Sequence, residues 1–384
     1  MAGSKEFCVG IVRCSYNEEK NFVYADDDLV RFRSERAAVD FIRQVWHRVS
    51  GVAYSRFLHS FAFPVNARAK ILHCFNAIVL SRHPWVVTFE STLPRYPNLP
   101  KWLLRLAWSR LASDKCRAII AFSECSKHIF LTDLDKNNAR ISRGSVQAIR
   151  SKLQTLHPPQ HQLVNEHQKF NIVDFDGTLN LALVGHDFFR KGGLELLVAV
   201  DELLQEHADI QLTIVSKMNA GDYASRAGDS KINLANDIIA KYPHKILVEE
   251  SLTPEAVLEL LKQSHILCLP TWGETFGYSV LEGQAAGCAA ITTNLRALPE
   301  INNSECGWVI DVPKLASGDG DIDTLQKREI FREKVTRGVK AALLEALNDR
   351  QMLRNKSQMS LARIRAHHDP QSHKATLVKI YSGG

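Results

Sequence analysis

The sequence predicts an α/β protein made of two doubly wound units. In the second half, short apolar runs alternate with amphipathic helical patterns, which is typical of parallel strands joined by helices. The first half contains similar runs at less regular spacing. With 384 residues, the chain is long enough for two domains with separate cores. We therefore predict domains over residues 1–165 and 166–384, with the last helix as a candidate to pack back on the first domain.

The second half has the more regular pattern. Its helical segments include GLELLVAVDELLQEH and the tail from about Asp323, and its predicted strands are LALVG (181–185), LTIV (212–215), KILV (245–248), HILCLP (265–270), AAITT (289–293) and WVIDV (308–312). In the first half, we predict strands at CVGIV, WVVTFE and RAIIAFS, and helices at SERAAVDFIRQVWHRVS and NLPKWLLRLAWSRLAS. The polar, proline-bearing segment LQTLHPPQHQLVNEHQKF between the halves is the predicted linker.

Composition excludes several classes of protein. The chain has no run of eighteen apolar residues, so we expect no membrane-spanning segment. Its first residues, MAGSKEFCVG, lack the apolar core of a secretory signal. The eight cysteines are scattered without a CxxC pair, which predicts reduced core residues rather than a zinc or disulfide framework. These features predict a cytoplasmic protein.

Charge is distributed unevenly along the chain. Residues 1–168 carry 24 Lys and Arg against 14 Asp and Glu, whereas residues 169–384 carry 24 against 28. A basic first half suggests an anionic partner, and the alternative is a solvated surface with uneven charge. Because no segment resembles a nucleic-acid-binding motif, we prefer a phospholipid or the inner face of the membrane to a nucleic acid.

One segment of the first half has two interpretations. NLPKWLLRLAWSRLASDKCR combines Trp102 and Trp108 with several leucines and basic residues. It is compatible with a basic amphipathic helix lying on a membrane, as a peripheral contact of the first domain. It is equally compatible with a core helix that has a basic outer face.

The segment GETFGYSVLEGQAAG contains two glutamates in a position suited to binding. It lies between two apolar runs, so a strand, a loop, a helix and a strand follow one another. This order puts Glu274 in a loop at the carboxyl edge of the sheet and Glu282 in the second turn of the helix. A helix-dipole contact or an exposed surface would explain either glutamate alone. Together, beside Gly273 and Gly277, they indicate a ligand site.

The segment GHDFFRKGGLELL places two cations where a helix begins. The helix dipole disfavours cations at this end, so Arg190 and Lys191 require an anion that the helix N–H groups can share. A phosphate meets that requirement. The alternative is a basic turn in which Gly192 and Gly193 only provide flexibility.

Together the two segments resemble the carboxyl-terminal domain of the retaining glycosyltransferases of the GT-B fold, specifically family 4. That family has a strand, a turn with Lys-Gly, and later two glutamates separated by seven residues. Phe-Gly follows its first glutamate, and Pro-Glu lies further on. The matching residues here are Lys191 with Gly192, Glu274 and Glu282, Phe276 with Gly277, and Pro299 with Glu300. The resemblance covers about residues 178–312.

The resemblance implies two Rossmann-like domains that face each other across a cleft, with a nucleotide-sugar bound mainly by the second. Lys191 and Arg190 would neutralise the diphosphate, and Glu282 would hold the ribose. Glu274, with the backbone of Phe276 and Gly277, would hold the sugar hydroxyls. Gly185 and Tyr278 complete the implied donor site.

The implied chemistry is retaining transfer of a hexose to a glycan or lipid-linked acceptor, in polysaccharide or glycolipid biosynthesis. Breaking the sugar–phosphate bond builds positive charge on the sugar and negative charge on the leaving diphosphate. Fixed cations and helix N–H groups would stabilise that diphosphate. The resemblance therefore implies no metal ion and no cofactor other than the nucleotide-sugar substrate.

The sequence departs from the family pattern in three places. The arginine usual after the strand glycine is replaced by His186, so the phosphate clamp depends on Arg190. The glycine pair usual after the first strand is absent, since Ser15 to Lys20 occupy that place. The histidine usual near the donor is replaced by Glu90 in WVVTFESTLPRYP. Glu90 is thus a candidate acceptor-side base, and the alternative is a solvated loop glutamate.

Two other functions compete with transfer. FNIVDFDGTLN resembles the nucleophile motif of magnesium-dependent phosphatases of the haloacid dehalogenase type, with Asp174 as nucleophile and Asp176 as acid. Because Asp176 and Gly177 are also common turn residues, we interpret DFDGT as a turn. The second alternative is a non-catalytic binding protein that kept the fold, since fold alone does not establish activity.

Overall fold

A computed structural model describes residues 7–12, 30–35, 59–64, 67–96, 98–137, 141–219 and 221–383. The chain divides into two compact units. The first contains Met1–Pro159 and His368–Gly384, and the second contains Gln160–His367. None of the helices in the described ranges is long and apolar enough to cross a membrane.

The first unit is built on a parallel sheet with the strand order β2-β1-β4-β6-β7-β8. Its strands are β1 (Phe7–Val12), β2 (Val30–Glu35), β4 (Ile71–Phe75), β6 (Trp85–Phe89), β7 (Cys116–Ala121) and β8 (Leu153–Thr155), while β3 (Phe61–Ala62) and β5 (Ile78–Val79) form a separate parallel pair. The predicted strands CVGIV, WVVTFE and RAIIAFS correspond to β1, β6 and β7. The predicted helix over residues 34–50 contributes its first two residues to β2, and the rest lies outside the described ranges, as do Ser15 to Lys20.

Four helices are described in the first unit: α1 (Lys101–Ala112), α2 (Glu124–Asn137), α3 (Arg143–Lys152) and α12 (Pro370–Ser382). Helix α1 is the tryptophan-bearing segment of the sequence analysis. Trp108 is buried in the core, as are Leu103, Leu104, Ala107 and Leu111, whereas Trp102 is exposed. The structure therefore supports the core-helix interpretation of this segment.

Helix α12 is held to the sheet of the first unit through a buried histidine. The Nδ1 atom of His73 on β4 lies 2.6 Å from the Tyr381 hydroxyl of α12. Its Nε2 atom lies 2.6 Å from the hydroxyl of Thr88 on β6. Burial, with the nearby His373, lowers the pKa of His73 to about 3, so the imidazole is neutral at pH 7. The last helix is thus part of the first unit.

The second unit is a six-stranded parallel sheet with the order β11-β10-β9-β12-β13-β14. Its strands are β9 (Leu179–Asp187), β10 (Ile210–Lys217), β11 (Ile246–Glu249), β12 (Ile266–Leu269), β13 (Ala289–Thr293) and β14 (Gly307–Ile310). The helices are α4 (Glu166–Ile172), α5 (Gly193–Gln205), α6 (Asp229–Lys241), α7 (Pro254–Gln263), α8 (Tyr278–Ala285), α9 (Leu298–Ile301), α10 (Leu325–Asn348) and α11 (Arg350–His367). All six apolar runs predicted in this half are strands.

The predicted linker is wrong at both ends. Its first residues form strand β8, and its last residues enter helix α4. Helix α4 begins with a capping box, in which the side chains of Asn165 and Gln168 each accept the other residue's backbone N–H. Lys169 is fully buried, and its ammonium group donates to the carbonyl of Ser264 at 2.6 Å, just beyond helix α7. Only the ends of the prediction are wrong, since residues 156–164 between β8 and the helix cap form no helix or strand and contain the boundary between the two units, at Pro159 and Gln160.

The strand order locates the region where a ligand would bind. The chain runs outward from β9 through β10 to β11, then returns to β12 beside β9 and continues to β14. The order therefore reverses between β9 and β12. Open parallel sheets bind ligands at the carboxyl edge next to such a reversal.

Candidate active site

The turn between β9 and α5 is shaped by two glycines. Gly192 has a φ of +79°, and a Cβ atom on it would lie 2.1 Å from the carbonyl oxygen of Pro270. A Cβ atom on Gly193 would lie 2.1 Å from the ring of Phe188. Only glycine allows this left-handed turn to pack directly on the residue that follows β12. The two loops at the reversal point are thereby in backbone contact.

Arg190 is fixed by this turn and by the neighbouring loop. Its Nε atom donates to Asp187 at 2.9 Å, and its Nη1 atom donates to the carbonyl of Gly273 at 2.8 Å. Burial alone would lower the pKa of Arg190, but the hydrogen bond to Asp187 and the charges of Tyr223, Asp187 and Glu274 together outweigh burial and raise it. The guanidinium is therefore a fixed positive charge at the carboxyl edge.

Lys191 and Glu274 are brought together by the fold. The ammonium group of Lys191 donates to the Oε2 atom of Glu274 in an ion pair whose side chains are 11% and 14% exposed. Glu274 Oε1 also accepts the N–H of Thr275 at 3.0 Å. The aliphatic part of the Lys191 side chain packs against Gly185, since a Cβ atom added to Gly185 would lie 3.0 Å from the Cε and Cγ atoms of Lys191. Gly185 therefore leaves the space that lets Lys191 reach Glu274.

Thr271 ties the loop after β12 to the turn after β9. Its Oγ1 atom lies 3.0 Å from the carbonyl oxygens of Arg190 and of Gly273. The N–H of the next residue, Trp272, also donates to the Arg190 carbonyl, at 2.8 Å. The hydroxyl of Thr293 on β13 in turn donates to the carbonyl of Thr271 at 2.9 Å. These bonds make the two loops a single rigid support for the charged side chains.

Trp272 packs against helix α10. The centroid of its ring lies 4.5 Å from the ring centroid of Phe331 and 5.1 Å from the guanidinium carbon of Arg332. Arg332 also pairs with the buried Glu195 of α5 at 3.1 Å. Burial raises the pKa of Glu195, while Arg332 opposes that shift. This packing fixes the loop that carries Glu274.

Helix α8 points its amino-terminal end to the same edge. Gly277, which precedes the helix with a φ of +100°, is a glycine and so has no side chain that could cap the helix. Phe276 is buried, and its ring lies 5.4 Å from that of Tyr278. Glu282 lies in the second turn and is partly exposed, between the buried Leu281 and Gly283. The helix dipole is therefore directed to favour an anion at this edge.

Glu90, the candidate acceptor-side base, lies in the first unit immediately after β6. Its backbone N–H donates to the side-chain oxygen of Asn76 at 3.0 Å, and its carbonyl accepts the hydroxyl of Ser126. Its side chain is partly exposed. Glu90 is thus at the carboxyl edge of its own sheet, and its role stays a prediction.

The DFDGT segment lies at the opposite edge of the second sheet. Asp174 to Gly177 form a turn before β9, in which Asp174 Oδ1 accepts the N–H of Asp176 at 3.0 Å. The residues before it are helix α4, not the strand that a phosphatase nucleophile would follow. Asp176 pairs with Arg354 at 2.6 Å. In the described ranges, no group of three or more His, Cys, Asp and Glu side chains is arranged for a metal ion.

Sequence reasoning missed several residues of the site. Asp187 and Thr271 position Arg190, and Glu195 with Arg332 supports the loop of Glu274. His186, which replaces the family arginine, is exposed at the end of β9. The i, i+3 spacing of Asp187 and Arg190 could have predicted their contact from the sequence. The other contacts join residues far apart in the sequence, so no local pattern indicates them.

Part of the chain is similar in sequence to known proteins. Residues 165–341 match the family described as "Glycosyl transferases group 1". A "Phosphatidyl-myo-inositol mannosyltransferase" of Mycobacterium tuberculosis is 28% identical over 174 residues, which are 44% of this chain and 43% of that protein. A "D-inositol 3-phosphate glycosyltransferase" of Corynebacterium jeikeium is 29% identical over 136 residues, or 34% of this chain and 31% of that protein. The chain therefore spans less than half the length of these relatives.

Solved structures resemble the chain over nearly its whole length. HepE of Anabaena, solved in complex with UDP, has a TM-score of 0.58 at 9% identity and covers 98% of this chain and 100% of its own. A sucrose-phosphate synthase of Thermosynechococcus elongatus has a TM-score of 0.57 at 11% identity and covers 98% of both chains. At such identities the likeness is one of fold, and it confirms the predicted fold of two Rossmann-like domains. Residues 165–341, just under half of the chain, thus match the group 1 glycosyltransferases, and the chain has the GT-B fold of these solved structures.

Proposed function

We propose that the chain is a retaining glycosyltransferase whose second unit binds a nucleotide-sugar donor. The observation that carries the proposal is the meeting of Arg190, Lys191 and Glu274 at the reversal point of the sheet, beside the amino-terminal end of helix α8. Two cations and a helix dipole in one place suit a diphosphate. A carboxylate beside them suits the hydroxyls of the attached sugar.

In the proposed reaction, the bond between the sugar and the diphosphate breaks, and the diphosphate leaves with its negative charge. Arg190, held by Asp187, and Lys191, which exchanges its contact with Glu274 for the diphosphate, neutralise that charge. Glu274 orients the sugar as positive charge develops on its ring, and Glu282 holds the ribose. Protein cations thus supply the stabilisation that a metal ion supplies elsewhere, so we propose a metal-independent, hexosyl-transferring enzyme.

The proposed acceptor follows from the names of the relatives and from the charge of the first half of the chain. Both named relatives are described as acting on inositol-containing compounds, one of them a lipid. Together with the basic first half of the chain, this supports a glycan or lipid-linked acceptor bound by the first unit, with Glu90 as its base. A cytoplasmic location at the inner membrane face fits such an acceptor. The assignment to family 4 likewise stays a prediction.

Donor hydrolysis tests the proposed function. The purified protein is incubated with UDP-, GDP- and ADP-sugars, with magnesium or with EDTA, and released nucleoside diphosphate and free sugar are measured. We expect slow hydrolysis of one nucleotide-sugar that persists in EDTA. Cleavage of phosphate esters only with magnesium would instead support the phosphatase alternative. Binding without any hydrolysis or transfer would support a non-catalytic protein.

A further inference from the structure

Tyr223 is an exposed aromatic residue beside the candidate site. It lies in the loop between β10 and α6 and is 74% exposed. The guanidinium carbon of Arg190 lies 5.8 Å from the centroid of its ring. A Cβ atom on Gly273 would lie 2.9 Å from its hydroxyl oxygen. The ring therefore presents a face to solvent while its hydroxyl end rests on the loop that carries Glu274.

A built turn holds Tyr223 in this place. The Oδ1 atom of Asp222 accepts the N–H of Ala224 at 2.8 Å and that of Ser225 at 2.7 Å. The hydroxyl of Ser225 also donates to Asp222. Ala224 and Ser225 are both buried, so the turn is anchored on the side opposite the exposed ring. Such a turn fixes the ring before any ligand arrives, which lowers the entropic cost of binding.

The surroundings of the hydroxyl keep it protonated. Burial of the hydroxyl end raises the pKa of Tyr223, Arg190 opposes the shift, and the carboxylates of Glu274 and Asp319 add to it. The group is thus a hydrogen-bond donor at physiological pH. Gly273, which the hydroxyl lies beside, directly precedes Glu274, the residue assigned to the sugar.

We propose that Tyr223 forms the outer wall of the sugar subsite and helps determine which sugar the donor carries. The inference rests on the proposed function and adds a residue to that site. The ring packs against the apolar face of the sugar, and the hydroxyl donates a hydrogen bond to one of its oxygens. By covering Arg190, the ring also excludes water from the diphosphate. Arg190 and Lys191 bind the diphosphate in any case, so Tyr223 acts mainly on the sugar.

The test compares binding of a nucleotide-sugar with binding of its bare diphosphate. Isothermal titration calorimetry is run with UDP and UDP-glucose, and with GDP and GDP-mannose, on the wild-type protein, Tyr223→Phe and Tyr223→Ala. We expect Tyr223→Ala to weaken binding of the nucleotide-sugar about tenfold and that of the diphosphate less than threefold, with Tyr223→Phe intermediate. The control is Tyr242→Phe, which removes a hydroxyl bonded to Asp201 on the surface of the same unit.

The outcomes separate this inference from the proposed function. If Tyr223→Ala binds both ligands as the wild-type protein does, or loses both equally, Tyr223 is not part of the sugar subsite although the donor site stands. If the wild-type protein binds none of the four ligands and hydrolyses no UDP-, GDP- or ADP-sugar, the proposed function fails, and the inference fails with it. Circular dichroism of each variant checks that the fold is retained.

Discussion

The ion pair between Lys191 and Glu274 leads to a prediction in which binding and turnover change in opposite directions. In the structure, the ammonium group of Lys191 is already neutralised by Glu274. A diphosphate must therefore displace that carboxylate before it can pair with Lys191. Glu274→Gln keeps the side-chain shape and the oxygen that accepts the N–H of Thr275, but it removes the competing charge.

The size of the effect follows from the burial of the pair. Exposed ion pairs contribute at most about 1 kcal/mol, and hydrogen bonds to charged groups about 1.5–3 kcal/mol. Because both side chains are mostly buried but open to an incoming ligand, we take about 1 kcal/mol as the cost of the exchange. Glu274→Gln should then bind a bare nucleoside diphosphate roughly fivefold more tightly. Its turnover should fall on the order of a hundredfold, because the contact that orients the sugar is weakened.

Calorimetry with UDP and GDP measures the first change, and release of nucleoside diphosphate from the preferred nucleotide-sugar measures the second. Glu259→Gln is the matched control, since Glu259 forms an exposed pair with Lys262 on helix α7 at 2.6 Å. That variant should leave both quantities unchanged. Weaker diphosphate binding by a folded Glu274→Gln protein would refute the view that Glu274 competes for Lys191.

Three further predictions follow from individual contacts. Gly185→Ala should fold but bind diphosphate about fivefold more weakly in calorimetry, because its Cβ atom displaces the stem of Lys191. The control is Gly144→Ala, whose added Cβ atom would meet no neighbouring side chain within 4 Å, and it should leave diphosphate affinity unchanged. Asp174→Asn should retain transfer and hydrolysis rates, because its turn lies at the opposite edge; a loss of magnesium-dependent activity would favour the phosphatase alternative. Burial holds the pKa of His73 near 3, below its unfolded value of about 6.5, so the unfolded chain binds more protons as pH falls. Below pH 6.5, the free energy of unfolding should therefore drop by about 1.4 kcal/mol per pH unit from this residue, and denaturant titrations at pH 7 and pH 5 should show a smaller drop for His73→Gln.

The second unit was more predictable from sequence than the first for a physical reason. Its central strands β12 and β13 are buried at every position, so they appear as unbroken apolar runs that stand out from the helices. In the first unit, β2 reads VRFRSE and exposes charged residues, and β4 carries His73 in its centre. Neither was predicted as a strand, because the partners that make such residues acceptable in a sheet are distant in sequence.

The residues of the candidate site likewise differ in how far the sequence predicted them. Lys191 stood out because a cation at the start of a helix conflicts with the helix dipole, and Glu274 stood out because it occurs together with Glu282 in one strand–loop–helix unit. Tyr223 gave no such signal, since a tyrosine in a polar loop is ordinary. Its contacts with Arg190 and Gly273 exist only because β10 lies beside β9 in the folded sheet. Local pattern thus predicted the charged groups, and only the tertiary structure revealed the residues around them.

The most direct test of the account is the contribution of Lys191 to diphosphate binding. Calorimetry with UDP and GDP is performed on the wild-type protein, on Lys191→Ala, and on Lys241→Ala, which removes a surface lysine paired with Asp201 at 2.7 Å. We predict that Lys191→Ala loses roughly 1.5–3 kcal/mol of binding free energy for the preferred diphosphate, while Lys241→Ala binds as the wild-type protein does. Unchanged diphosphate affinity in a folded Lys191→Ala protein would contradict the placement of the donor at the reversal point of the second sheet.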